Sequence, residues 1–216
     1  MNEAKLREIL KEFMGKVAGI LATLPKAEAA APEKEASGGL STRTLVELVS
    51  HEAIVKEAYK DSVGVWTWGV GVTSRSGHSV ERYKDNPQPV SKVIEIFKWL
   101  VESKYLPSVP SAFQGCELSE EQLAAAVSFH YNTGAIGRAS WVRSFKAGNI
   151  AQAKREFMQW KNPPEIVPRR QKERDLFFDG KWSNDGKVTI YERVRKPSYS
   201  PVWGSAVRVD ITKELG

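Results

Sequence analysis

The stretch Glu52–Val72, EAIVKEAYKDSVGVWTWGVGV, limits what this chain can become more than any other. Before it, Leu45, Leu48 and Val49 recur at helical spacing, so Glu52 falls at or near the end of a helix. After it the pattern changes. Asp61-Ser62-Val63-Gly64 is turn chemistry, and the Val/Trp/Thr-rich run that follows, with glycines at 69 and 71, reads as a β-hairpin. A carboxyl on a helix end is thereby set beside a carboxylate, Asp61, and a hydroxyl, Thr67, on the adjoining hairpin. Two carboxyls in unlike environments, one protonated and one ionised, are what acid-catalysed cleavage of a glycosidic bond requires. Spacing alone leaves a plainer alternative open, two solvated charges at a helix–hairpin junction.

The order E-x8-D-x5-T, filled by Glu52, Asp61 and Thr67 and followed by Trp68-Gly69-Val70-Gly71, resembles the signature of the phage-type lysozymes, glycoside hydrolase family 24. The blocks SFHYNTGAIG at 128–137 and VPRRQKERDLFFDGKW at 167–182 are similar to later parts of the same family in the same order, so the resemblance spans residues 41–182. It implies an α+β, lysozyme-like fold, mainly helical, with a small β-hairpin lobe at the active-site cleft. It also implies a muramidase that hydrolyses the β-1,4 bond between N-acetylmuramic acid and N-acetylglucosamine in peptidoglycan, without a cofactor. A virion-borne structural lysozyme, a lytic transglycosylase and a non-hydrolytic wall binder are the alternatives. The intact Glu52, Asp61 and Thr67 set speaks against the last, and Asp61 disfavours the transglycosylase.

Carried over residue by residue, the resemblance makes Glu52 the general acid. Asp61 activates or positions the water, or acts as nucleophile, and Thr67 helps to hold the water. Asn132, just before Thr133-Gly134, stands where the family has a polar side chain facing the cleft; substrate hydrogen bonding and an ordinary helix C-cap are both open to it. Matching V-P-R-R to the family block places Arg170 where an arginine pairs with the catalytic glutamate, while Lys172 reads as part of a solvated basic face. Where family members often carry a histidine after the G-x-G turn, this chain has Val72.

A chain of 216 residues favours one catalytic domain with appendages. Apolar residues make up 41% and there are seven tryptophans, which excludes a disordered chain. The single cysteine, Cys116, forms no intrachain disulfide and reads as a buried small hydrophobe. His51, His78 and His130 are dispersed without ligand spacing, so no metal is expected, and His130 reads as a core histidine. A net charge of +6 favours polyanionic surroundings. No basic block interleaved with aromatics and no zinc-finger or RNA-binding motif is present, so nucleic acid is not the expected partner.

Residues 1–24 place Leu6, Ile9, Leu10, Phe13, Val17, Ile20, Leu21 and Leu24 at helical spacing, an amphipathic helix suited to self-association, docking or a membrane surface. Glu3, Glu8, Glu12 and Lys16 break up the pattern of a cleavable signal peptide, and the apolar run is too short to span a bilayer. The expected location is the host cytoplasm until release to the wall. Residues 25–40 have linker composition. Ser41 reads as the N-cap that opens the catalytic domain, 41–182. Further N-caps are expected at Ser119, in a capping box, and at Asn149, and Pro168 opens the last helix of the domain. Residues 183–216 form a β-rich extension, with strands expected over 187–194 and 205–212.

Overall fold

The computed structural model describes residues 39–215, so the amphipathic segment 1–24 and most of the linker lie outside the described residues. The described chain forms one unit. Helix α1 (Thr42–Glu52) opens at Ser41, whose hydroxyl accepts a hydrogen bond from the Thr44 amide at 3.1 Å. Its inner face, Leu45, Leu48 and Val49, is buried. The helix stops at Ala53, whose backbone turns to φ 59° and ψ 172°.

Strands β1 (Ile54–Lys60), β2 (Trp66–Gly69) and β3 (Val72–Thr73) follow as an antiparallel meander. The helical part then comprises α2 (Val90–Leu100), which continues through one π turn at Val101–Tyr105, α3 (Ser108–Ala112) and α4 (Glu120–Thr133). It is completed by α5 (Ser140–Lys146), α6 (Ile150–Phe157) and α7 (Val167–Asp179). Helix α4 opens with the Ser119/Gln122 capping box, and Pro168 lies in the first turn of α7, where its missing N–H costs nothing. At α6 the outcome differs: Asn149 precedes the helix but its side chain makes no capping hydrogen bond.

The helical lobe closes around Trp141, fully buried, with the rings of Phe113, Phe129, Phe157 and Phe177 at centroid distances of 4.7 to 5.7 Å. Edge-on and tilted pairs of this kind add to the burial of large apolar area. Cys116 is half-buried against this core, less enclosed than the sequence suggests.

The C-terminal extension is not a separate appendage. Strands β4 (Lys187–Tyr191) and β7 (Ala206–Asp210) join the meander in one sheet of order β3-β2-β1-β4-β7. β4 runs parallel to β1, pairing Ile54 with Ile190 and Val55 with Tyr191, because the whole helical lobe forms the crossover between them. Val188 and Ile190 are buried, whereas Val207 and Val209 on the outer strand stay 38% and 36% exposed. A small pair, β5 (Val194–Arg195) and β6 (Ser200–Pro201), and a short helix α8 (Thr212–Leu215) complete the extension.

Candidate active site

Glu52 is the last residue of α1, and its side chain is 20% exposed. The backbone conformation of Ala53 is one that non-glycine residues rarely adopt, so the chain leaves the helix through a strained link directly after this carboxyl. Across from it lies the turn between β2 and β3. A Cβ on Gly71, at φ 69°, would come within 3.0 Å of Glu52 Oε2, so only glycine lets the turn approach the carboxylate this closely.

Arg169 reaches Glu52 from the first turn of α7 and forms an ion pair through Nη1. Its other donors are also committed: Nε to Glu173 Oε1 at 2.9 Å, and Nη2 to the Ser128 carbonyl at 3.3 Å. Ser128 Oγ donates to the same Glu173 oxygen at 2.6 Å. Burial disfavours the Arg169 cation, but Glu52 and Glu173 more than reverse this and hold its pKa above the usual arginine value. The guanidinium is thus a fixed, permanently charged fork whose orientation is set before any ligand arrives.

This arrangement corrects one expectation from the sequence. Arg170 is not the partner of Glu52. It is 1% exposed and turned into the helical lobe, where it pairs with Glu173 Oε2, donates to the Trp160 carbonyl at 2.8 Å and to Asn132 Oδ1 at 2.6 Å. Burial, followed by repulsion from Arg169, lowers its pKa against the pull of Glu173. Asn132 is exposed, and it is not the C-cap of α4, a place taken by Gly134 at φ 63°. Asn132 and Arg170 border a recess of about 380 Å³ with Thr133, Trp160 and Asn162. Lys172 is solvent-exposed, and His130 is half-buried, packed edge-on against Tyr105 at 5.4 Å.

Asp61 begins the hairpin turn. Its Oδ1 accepts the amides of Val63 at 3.0 Å and Val65 at 2.8 Å, which leaves Oδ2 without a protein partner among the described residues. Thr67 is buried in β2 opposite Tyr59, and its hydroxyl donates to the Val65 carbonyl at 3.2 Å. Three phenols surround this region. Burial and then the charge of Glu52 raise the pKa of Tyr59, Tyr105 and Tyr131, with Asp61 adding to the effect at Tyr59. All three are neutral hydrogen-bond donors at ordinary pH, and Tyr131 donates to the Val70 carbonyl at 2.6 Å, tying α4 to the β2–β3 turn.

A model of the phage lysozyme family matches residues 49–173, more than half of the chain. This chain belongs to the phage lysozyme family. The lysozyme is 28% identical over 146 residues to the endolysin of Salmonella phage P22, which covers 64% of this chain and 97% of that protein. It is also 28% identical over 106 residues to the endolysin of Bacillus phage B103, covering 46% of this chain and 40% of that longer relative. Among solved structures it resembles the endolysin from Escherichia coli O157:H7 phage FAHEc1, with a TM-score of 0.60 at 21% identity over 67% of this chain and 96% of that one. A P22 lysozyme mutant gives a TM-score of 0.53 at 27% identity over 65% and 99%. The fold is lysozyme-like α+β, and the lysozyme is a hydrolase of the muramidase type.

Sequence reasoning missed Arg169, Glu173 and Ser128 as a unit. A signal was present: in R-R-x-x-E, Glu173 lies four residues after Arg169 and three after Arg170, on the same helix face as both.

Proposed function

We propose that this enzyme is an endolysin that hydrolyses the β-1,4 bond between N-acetylmuramic acid and N-acetylglucosamine in peptidoglycan, with Glu52, Asp61 and Thr67 as its catalytic residues. The observation that carries the reading is the placement of Glu52 between the Gly71 turn and the Arg169 fork, with Asp61 on the neighbouring hairpin. Glu52, a carboxylate in its pair with Arg169, takes up a proton before the reaction and gives it to the leaving glycosidic oxygen. The Thr67 hydrogen is spent on Val65, so its oxygen accepts from a water. Asp61 Oδ2, without a protein donor among the described residues, takes that water's proton as the oxygen attacks the sugar. One C–O bond breaks and one forms, and solvent returns the proton from Asp61 to Glu52.

Arg169 orients the acid, and Asn132 contributes a polar side chain to the wall of the recess it shares with Arg170. The amphipathic periodicity of residues 1–24 supports a docking or self-association role, and the protein acts once it passes from the host cytoplasm to the wall. Mass analysis of digested peptidoglycan tests the chemistry. Hydrolysis yields reducing muramic acid ends, and anhydro sugars in their place would identify a transglycosylase. Glu52→Gln should lower wall clearing by at least about a hundredfold, because general acid catalysis supplies roughly 10²–10⁴.

A further inference from the structure

The C-terminal extension fastens both elements that carry the catalytic carboxyls. At the helix, Glu47 of α1 is fully buried and receives the amide and hydroxyl of Ser183, at 3.2 and 2.6 Å, and both the amide and side-chain nitrogen of Asn184. Glu47 lies five residues before Glu52 on the same helix. At the hairpin, the amide of Lys60, the residue before Asp61, donates to the Tyr199 carbonyl at 2.7 Å. Between these points β4 pairs along the start of β1.

Tyr199 is held by several bonds at once. Its ring meets Trp66 edge-on at 5.0 Å, and its hydroxyl donates to Asp85 at 3.0 Å. Its backbone adopts φ 56°, a conformation a tyrosine keeps only where the surroundings enforce it. Lys196 sits 4.2 Å from the same ring and bridges Glu57 of β1 to Asp85.

The strap bears on the hairpin from behind. Lys60 pairs with Trp66 and Tyr59 with Thr67, and successive residues of a strand alternate between faces, so Trp66 and Tyr199 lie on the face opposite Thr67. Tyr199 therefore does not lie on the face that carries Thr67.

We infer that Tyr199 and Lys196 are positioning residues, through which the C-terminal extension fixes the catalytic hairpin, and with it Asp61, relative to the helix that ends in Glu52. The inference rests on the reading of Glu52 and Asp61 as the catalytic pair. The family match covers residues 49–173, and the strap lies beyond it. A carboxylate displaced by a fraction of an ångström loses rate without losing substrate affinity.

The test uses the full chain with Tyr199→Ala, Tyr199→Phe and Lys196→Gln. Tyr199→Ala should lower kcat on purified peptidoglycan about tenfold with KM unchanged within about twofold, since positioning acts on the reacting geometry. Amide exchange at Val63 and Val65, the donors to Asp61, should speed up about tenfold while α4 amides keep their protection. Tyr199→Phe, which keeps the ring contact with Trp66, should restore most of both. Unchanged hairpin exchange in Tyr199→Ala, or loss of protection spread evenly over the whole protein, overturns the inference. Should Tyr199→Ala fail to fold, Lys196→Gln is read by the same two measurements. A wild-type protein that leaves peptidoglycan intact would refute the proposed activity, while the exchange arm still decides whether the strap fixes the hairpin.

Discussion

Arg169 meets Glu52 across 117 residues of sequence, while its neighbour Arg170 turns the other way and never approaches the acid. Both guanidiniums share Glu173, which is fully buried between them. The two arginines therefore have different work, and the same substitution separates them. Arg169→Lys keeps the charge and loses the fork, and with it the buried bonds to Glu173 and the Ser128 carbonyl, so kcat should fall about tenfold alongside a loss of stability of about 1–3 kcal/mol. Arg170→Lys should leave the kcat of the folded protein nearly unchanged and cost about 2–4 kcal/mol of stability, because a buried pair is disturbed and Asn132 and the Trp160 carbonyl lose donors. Steady-state kinetics and denaturant melts on the two variants check both halves.

Ala53 offers a second test at the same junction. Its positive φ with an extended ψ costs a non-glycine residue about 1–3 kcal/mol, against less than about 1 kcal/mol of extra chain entropy for glycine. Ala53→Gly should therefore raise stability by about 1 kcal/mol, read as a higher denaturant midpoint with an unchanged slope. A lower midpoint would mean that the methyl packs usefully where it is.

Acid stability should report on Glu47. Burial by itself raises this carboxyl, but His51, 3.4 Å away, and the hydrogen bonds from Ser183 and Asn184 more than reverse that and lower its pKa to about 2. The folded value lies below the unfolded one, so the group contributes stability that is fully present above about pH 4.5 and is lost as pH falls toward about 2. Chemical melts at pH 5 and pH 3 should show a steeper loss in wild type than in Glu47→Gln, which cannot titrate. Equal losses would assign the acid sensitivity to other carboxylates.

A protein beginning at Gly39 should fold cooperatively and hydrolyse purified peptidoglycan, since Leu40 is the first residue buried in the described core. Calorimetry together with turbidity clearing decides it. A broad, uncooperative melt would place residues 1–38 in the folding unit.

The sequence by itself determined the local parts of this protein. A helix that ends at Glu52, a turn that opens at Asp61 and the caps at Ser41 and Ser119 all depend on residues a few positions apart, where spacing and turn chemistry decide the outcome. The order of motifs along the chain carried the family resemblance for the same reason. Which of two adjacent arginines faces Glu52 was a different matter. Neighbours on a helix point about 100° apart, and the rotation of α7 against α1 and α4 follows from the packing of the whole helical lobe. The place of the extension was equally out of reach. The alternation of Val188 and Ile190 announced a strand, but its parallel pairing with β1 depends on a partner more than a hundred residues away and on the crossover between them. Only the tertiary structure joins Glu47 to Ser183 and Lys60 to Tyr199, because each bond needs both ends of the chain to have already found the same side of one sheet.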